Sequence, residues 1–387
     1  MQHERKKQVP QSPDVIPGIA CMLLMFQAYL VAPLSATLAQ DFRSSMVNLA
    51  IPAFAIPFAI SAAGMVLLKP DADLRKHFLY SLAALCIGTC VLSFTTSAVV
   101  FLMIRALTGL GTGAMLPSAL LLAIRPHERK RSLNAMVLII FALATGMTFG
   151  PSIGGWLNGL IGWRNLFLSI GMLAATLSLS YFLKDRWGRQ AGLVLLEIKP
   201  ISRPASDWKR RYTYGFVYLT GVFHSGVFVW ITYYFTAQYG LDEFHIATDL
   251  FIFGLPGFIV AILMFRYQLD KKVITILYAA LGLTIAGLLV LMGNLPLWLA
   301  ECLLGIMSLG FGCSQPLFIG ILQIPRAGLS PIGPLAKGSG LLFAGYGSGP
   351  LILFALLSFN LTAAMAFLAI LVAILAYISR RVWSVSS

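Results

Sequence analysis

Four titratable side chains stand within or beside long apolar stretches of the chain: Asp41, His224, Asp249 and Glu301. The chemistry open to such groups is reversible proton binding, provided that water reaches them and that their surroundings shift their pKa values. Glu301 is the preferred candidate for a group that carries a proton across a membrane. Two alternatives stay open: Asp249 and Glu301 are solvated at a membrane surface, and His224 is a neutral, hydrogen-bonded core residue.

A fifth ionisable residue, Arg105, lies inside the apolar stretch 98–124. A charged side chain within a membrane span is costly unless it is paired or faces water, so such a residue is a functional candidate by default. The alternative is that Arg105 reaches a membrane surface or holds a neighbouring helix in place.

The elements that carry these residues are membrane spans. Of the 387 residues, 58% are hydrophobic and 11% are charged, and the mean hydropathy is +0.84, whereas soluble domains carry about 25% charged residues. Apolar blocks of about 20 residues are long enough to cross a bilayer. They predict twelve transmembrane helices, at 16–39, 46–68, 78–96, 98–124, 135–158, 165–183, 213–236, 245–265, 273–292, 296–322, 338–358 and 360–378.

The positive charge is distributed asymmetrically between the predicted loops. Of the 28 Lys and Arg residues, only Arg43, Arg105 and Arg164 fall outside the termini and the loops that share their side. Positive loops stay in the cytoplasm, so we expect a multi-pass protein of the inner membrane with both termini cytoplasmic. The net charge of +14 then orients helices against an anionic leaflet, and no nucleic-acid partner is expected.

The chain reads as two related halves. At an offset of 199 residues, Gly and Pro coincide in the pairs Gly111/Gly310, Gly113/Gly312, Pro117/Pro316, Gly150/Gly349 and Pro151/Pro350. Chance matches are the alternative, since Gly is frequent. We predict an all-α protein of two pseudo-symmetric six-helix bundles, with a cytoplasmic segment 1–15, bundles 16–183 and 213–378, a central cytoplasmic loop 184–212 and a tail 379–387.

The stretch GMTFGPSIGG (146–155) places Gly146, Gly150 and Gly154 four residues apart. Such spacing leaves one helix face without side chains, so that a second membrane helix can approach closely. Pro151 removes one backbone hydrogen bond and bends the helix. We expect the partner to be the eighth span, whose GLPG (254–257) is also rich in small residues. The alternative is a packing interface with no role in transport.

With Gly155, that stretch fits G-x-x-x-G-P-x-x-G-G at every fixed position, and GWRNLF (162–167) and RALTGLG (105–111) are similar to motifs that accompany it. In these motifs and in its layout the chain resembles the major facilitator superfamily, and within it the twelve-span drug:proton antiporters. KPDADLRKH (69–77) departs from the family's cytoplasmic loop motif, although Asp71, Arg75 and Lys76 can be matched.

The resemblance implies a proton-coupled exporter of small amphipathic compounds. In such transporters Arg105 is linked to proton movement or to the cavity, and spans 1, 4, 7 and 10 line that cavity. The substrate-site candidates are then Gln27, Tyr29, Tyr218, His224 and Gln315. Trp230, Tyr233 and Tyr234 are expected in the interfacial aromatic belt. The alternatives are an exporter of an endogenous siderophore, sugar or nucleoside, a proton-coupled importer, or a membrane sensor without transport activity.

Other function classes lack their motifs. The sequence shows no nucleophile–base or metal constellation, so we expect no enzyme, no metal and no cofactor. It shows no nucleotide-binding loop motif either, so uphill transport must use an ion gradient or a partner protein. The expected partners are protons, the lipid bilayer and a small-molecule substrate, and we expect a monomer.

Overall fold

The computed structural model of the chain describes residues 15–67, 73–124, 129–188, 207–267, 272–312 and 332–383. These residues form thirteen α-helices and two short 3-10 helices, and none of them is in a β-strand. The helices are α1 Val15–Tyr29, α2 Ser35–Phe42, η1 Ser45–Leu49, α3 Ala50–Gly64, η2 Met65–Leu67, α4 Leu74–Leu92, α5 Ala98–Thr112, α6 Met115–Leu122, α7 Arg129–Gly188, α8 Asp207–Tyr239, α9 Glu243–Tyr267, α10 Lys272–Val290, α11 Leu297–Gly312, α12 Ile332–Leu357 and α13 Leu361–Trp383.

Within the described ranges, seven helical stretches are long and apolar enough to cross a bilayer. They are Ser45–Leu67, Ala98–Leu122, Asn134–Leu183, Arg211–Tyr239, Glu243–Val260, Gly333–Leu357 and Leu361–Arg381. The all-α class of the chain is confirmed. The count of twelve spans, their grouping into two bundles and the bundle boundaries stay predictions.

Prolines divide two predicted spans into shorter helices. Proline has no N–H, and its ring clashes with the carbonyl group four residues earlier. Pro33 accordingly lies just after the end of α1 at Tyr29, and α2 begins only at Ser35. Pro117 likewise lies four residues after Gly113, where α5 gives way to α6. The first and fourth spans, predicted as continuous, are therefore broken helices.

The boundary between the fifth and sixth predicted spans is a single residue. α7 runs through 60 residues, and its one non-helical residue is Gly162, with φ 76° and ψ 153°. Glycine reaches a positive φ without the steric cost that other residues bear. The break predicted between 158 and 165 is confirmed at this position.

The side-chain-free face of α7 packs against α1. A β-carbon placed on Gly150 would lie 2.8 Å from the Cα of Phe26. One turn earlier, Gly146 approaches the backbone of Met22 more closely still. The backbones of the two helices are therefore in direct contact, which faces made of small residues allow.

The second half repeats this contact at the same offset of 199 residues. Gly349 of α12 approaches the side chain of Ser225 on α8, and Gly345 lies against Gly221. These four residues are the counterparts of Gly150, Phe26, Gly146 and Met22. Equivalent contacts between equivalent helices are what a duplicated unit produces, so the packing supports the repeat.

Replacing Gly150 by alanine should lower the free energy of unfolding by about 1–3 kcal/mol, the usual cost of overpacking. Gly159→Ala in the same helix is the matched control, because a β-carbon there meets nothing within 4 Å. It should be neutral or stabilise by up to about 1 kcal/mol through helix propensity. The melting temperatures of the purified proteins in one detergent test this, and equal melting of the Gly150 variant and the parent would contradict it.

Candidate functional site

A cavity of about 770 Å³ lies between helices of both halves of the chain. Its wall combines α2 and η1 with the end of α8, the start of α9 and Phe354 of α12. Its polar lining includes Thr37, Asn48, Thr236 and Glu243. We call this cavity the vestibule. The end of the helices at which it lies is the one that the charge distribution predicts to face outward.

Six rings form a central aromatic cluster that joins α1 and α3 to α8 and α12. They are Tyr29, Phe58, His224, Phe228, Phe343 and Tyr346. The ring of Tyr29 meets those of Phe228 and Tyr346 edge-on, with centroids 5.4 and 5.5 Å apart. Phe58 stacks on Phe343 at 3.6 Å. Edge-to-face and stacked rings offer an apolar surface with a polarised edge, which suits amphipathic molecules.

The predicted substrate residues occupy different positions relative to this cluster. Tyr29 and His224 belong to it, and His224 is 6% exposed. Gln27 is fully buried, and neither its amide nitrogen nor its amide oxygen has a hydrogen-bond partner among the described residues. Tyr218 is half-buried and shares a 3.0 Å hydrogen bond with Ser348. Gln315 lies outside the described residues.

Arg105 is fully buried and gives its donors to backbone carbonyl groups. Its Nη1 donates to the carbonyl oxygen of Gln27 at 3.0 Å and its Nη2 to that of Ala28 at 2.9 Å. Its Nε donates to the carbonyl oxygen of Ala50 at 3.0 Å. The guanidinium also lies 5.1 Å from the ring centroid of Phe54. Arg105 thus ties α5 to α1 and α3, which is the geometry of the alternative in which it holds neighbouring helices.

The break after α1 explains why those carbonyl groups accept from a side chain. The last four carbonyl groups of a helix lack intrahelical partners. Gln27 and Ala28 belong to the last turn of α1, which ends at Tyr29. An arginine from another helix supplies the missing donors in a region where water is scarce, so Arg105 and the broken helix form one structural unit.

Asp249 and Glu301 lie on α9 and α11, two helices that pack against each other. Asp249 is 1% exposed, and its Oδ2 has no hydrogen-bond partner in the part of the chain that the structure describes. Glu301 is half-buried and close enough for the two carboxyl groups to repel each other. Two turns deeper, the Ser308 hydroxyl accepts from the Gly257 N–H at 3.1 Å. Burial removes the alternative of a solvated surface position for Asp249.

Asp41, the remaining acidic candidate, is a tether between helices. Its Oδ2 accepts from the indole N–H of Trp163 at 2.7 Å and from Arg164 at 2.8 Å. The Trp163 hydrogen bond, assisted by Arg164, lowers the pKa of this carboxyl group below its usual value. The GWRNLF stretch after Gly162 thereby holds α7 to the end of α2.

The partner predicted for the face with Gly146 is wrong, because Gly146 and Gly150 pack on α1 and Gly154 packs on Leu30, just after its end. Small side chains specify a close approach but not which helix makes it. The eighth predicted span, α9, packs on the neighbouring face of α7. There Gly155 lies against Ala247, and Gly254 lies against Thr148.

The loop motif is only partly described. Arg75 and Lys76 lie in the first turn of α4, and Asp71 lies outside the described residues. Among the described residues of this stretch, Asp73 is an acidic residue with a structural role. Its carboxylate caps α4 by accepting from the N–H groups of Arg75 and Lys76 at 3.2 and 3.3 Å.

The expectation that Trp230 and Tyr234 lie in the interfacial aromatic belt is wrong. Trp230 is fully buried and Tyr234 is 2% exposed, and their rings stack at 5.1 Å. A belt residue would face lipid, so these two are core residues of α8. Tyr233 is 45% exposed and lines the vestibule.

Glu243 is a functional candidate that sequence reasoning missed. It lines the vestibule and accepts hydrogen bonds from Thr37 and Asn158, on two other helices. Its only sequence signal is an acidic residue two positions before the eighth predicted span, which begins at 245.

Known proteins resemble the chain at several levels. The profile of the Major Facilitator Superfamily matches residues 18–324. The multidrug resistance protein B homolog of Mycobacterium tuberculosis is 29% identical over 115 residues, which are 29% of this chain and 21% of that protein. A purine ribonucleoside efflux pump of Salmonella paratyphi B is 25% identical over 154 residues, 38% of each chain. The match therefore spans about a fifth of the length of the first relative and about two fifths of the length of the second.

The fold has a solved counterpart. The crystal structure of the human organic anion transporter MFSD10 matches 95% of this chain and 100% of its own, with a TM-score of 0.74 and 14% identity. At that identity the likeness shows the fold alone.

Proposed function

The chain belongs to the Major Facilitator Superfamily, whose members are multi-pass membrane transporters of small molecules and not enzymes, and we propose that it exports small amphipathic compounds in exchange for protons. The mechanism is alternating access, in which two halves rock about a central binding site. The proposal includes twelve spans in two six-helix bundles, 16–183 and 213–378, in the inner membrane, with cytoplasmic termini and a monomeric chain.

The observation that carries the proposal is the central aromatic cluster joining the two halves. Ligand pockets are mostly apolar, with a few polar groups that fix orientation, and typically measure about 300–1,000 Å³. Tyr29 and Tyr346 are buried aromatic rings where the two halves meet, and the buried amide of Gln27, on the same helix as Tyr29, has unused donors and acceptors. A molecule with an apolar body and one polar end matches these groups.

The packing at the two ends of the helices supports an outward-facing state, if the positive loops are cytoplasmic as predicted. The vestibule opens between α2 and α8 at the end predicted to be outer. At the other end α12 packs against η2 and α6. A β-carbon placed on Gly340 of α12 would lie 3.1 Å from the carbonyl oxygen of Ala59 on α3. Substrate released from the centre would leave through the vestibule.

The direction of transport rests on two observations of sequence. The stretch with Gly146, Gly150, Pro151, Gly154 and Gly155 fits the pattern associated with exporters. Two of the relatives carry names that denote multidrug resistance and efflux. An importer is the alternative that these observations disfavour.

A second candidate function is export of an endogenous metabolite such as a nucleoside. The relative named as a purine ribonucleoside efflux pump favours it. A buried amide such as that of Gln27 presents one donor and one acceptor side by side, which matches the edge of a nucleobase.

Reconstitution into liposomes with a pH dye inside tests both candidates. Amphipathic compounds and purine nucleosides are added in turn to vesicles that hold a proton gradient. We expect proton release coupled to the movement of an amphipathic compound. Exchange of compounds without proton movement would overturn the coupling, and a response to nucleosides alone would replace the first substrate class by the second.

A further inference from the structure

Glu243 joins three helices at the vestibule. Its Oε1 accepts from the backbone N–H of Thr37, on α2, at 2.7 Å. Its Oε2 accepts from the Thr37 hydroxyl at 2.7 Å and from the Asn158 amide, on α7, at 3.0 Å. Glu243 itself begins α9, 206 residues after Thr37. One carboxylate thus connects the second predicted half of the chain to two helices of the first.

The local structure of α2 explains why this carboxylate is held so firmly. The first four N–H groups of a helix lack intrahelical partners, and a side chain at the N-cap usually accepts from one of them. The N-cap of α2 is Leu34, which makes no side-chain hydrogen bond. Glu243 supplies the missing acceptor from another helix, and its negative charge is favourable at the positive end of the α2 dipole.

We propose that Glu243 is a latch that holds the vestibule end of α2 against α9, and that its release widens the vestibule. The proposal rests on the proposed function, because widening matters only if the two halves rock. Glu243 acts on transport through helix position, since none of its hydrogen bonds in the described residues goes to the central aromatic cluster.

Trp156 adds a second contact across the same seam. Its indole N–H donates to the Thr248 hydroxyl, on α9, at 3.2 Å. This contact involves α7 and α9 only, so it keeps those two helices together when α2 is released. The expected motion is therefore a separation of α2 from α9 and not a dissociation of the halves.

The test is a distance across the vestibule. Gln40 and Ala237 both line it, from α2 and α8, and cysteines at these two positions carry spin labels in a chain whose five native cysteines are replaced. Distances are measured in nanodiscs without substrate or proton gradient. The result therefore does not depend on whether the chain exports anything, so failure of the latch and failure of the proposed function are distinguishable.

Glu243→Gln should raise the ratio of long to short distances about tenfold, as the loss of a hydrogen bond to a charged group predicts. Thr37→Val removes only the hydroxyl donor and should raise the ratio of long to short distances about threefold. This variant keeps the proposal testable if Glu243→Gln does not fold. Asp242→Asn is the matched control. That neighbouring carboxylate lines the same vestibule but is bound to His245, in the first turn of α9, and not to another helix of the first half.

Unchanged distances in Thr37→Val and in any folded Glu243→Gln protein would overturn the latch. A shift of the same size in the Asp242 control would also overturn it, because the effect would then come from the charge of the vestibule and not from the bonds to Thr37 and Asn158.

Discussion

Replacing Arg105 by methionine should lower the free energy of unfolding by about 2–6 kcal/mol, because it leaves two buried carbonyl groups at the end of α1 without donors at about 1–3 kcal/mol each. Those groups belong to Gln27 and Ala28, and the Ala50 carbonyl group also loses its bond to Arg105. The loss is comparable to the whole stability of many proteins, about 5–15 kcal/mol. The yield and melting temperature of the detergent-purified protein measure it, with Arg380→Met at the exposed end of α13 as the control.

Arg105→Lys separates the two roles considered for this residue. Lysine keeps the charge but lacks the planar fork, so it cannot reach carbonyl groups on both α1 and α3. A protein that melts well below the parent would support the structural role. One that melts like the parent but moves no protons in liposomes would contradict it and favour the role in proton movement.

The sequence predicted that Arg105 matters but not what it binds. An arginine within an apolar span is detectable because its cost in a membrane is high. Its partners are backbone carbonyl groups, and every residue has one, so no pattern of residue types could identify them. The available signal was Pro33, which ends α1 and leaves carbonyl groups of its last turn for a donor from elsewhere.

The apolar spans were predictable because a bilayer imposes a length and an apolar composition on whatever crosses it. The same reasoning could not find the breaks at Gly113 and after Tyr29, since an averaged hydropathy ignores the missing N–H of proline. It also found the seam of Gly146 and Gly150 but assigned it to α9. The contact with α1 depends on how helices are arranged around one another, and a single sequence carries no signal for that.

Glu243 shows the same limit at long range. Its hydrogen bonds connect positions 206 residues apart, and in the sequence it stands beside Asp242 in what reads as a short loop. The other signal was Leu34, whose side chain has no oxygen to cap α2. It predicts that some other group accepts from the first N–H groups of α2, but not which one. The structure was needed to bring the orphan N–H of Thr37 and the carboxylate together.

Replacing Asp249 by asparagine should reduce substrate-driven proton flux to the level of protein-free liposomes. The Asp249 carboxyl group is 1% exposed and its Oδ2 has no hydrogen-bond partner within the described ranges. An ionised group in such a place is costly, so the residue is suited to hold a proton whenever α9 and α11 are packed together. Ile246, one turn away on the same helix, lines the vestibule.

The asparagine variant should fold as well as the parent, because asparagine has the shape of the protonated acid and no charge. Glu301→Gln is the matched variant, since Glu301 is close enough to repel Asp249 but is only half-buried. We expect it to retain proton flux. The opposite pattern, with flux kept in Asp249→Asn and lost in Glu301→Gln, would move the proton site to Glu301. Flux in both single variants and in the double variant would exclude this pair of carboxyl groups as the proton site.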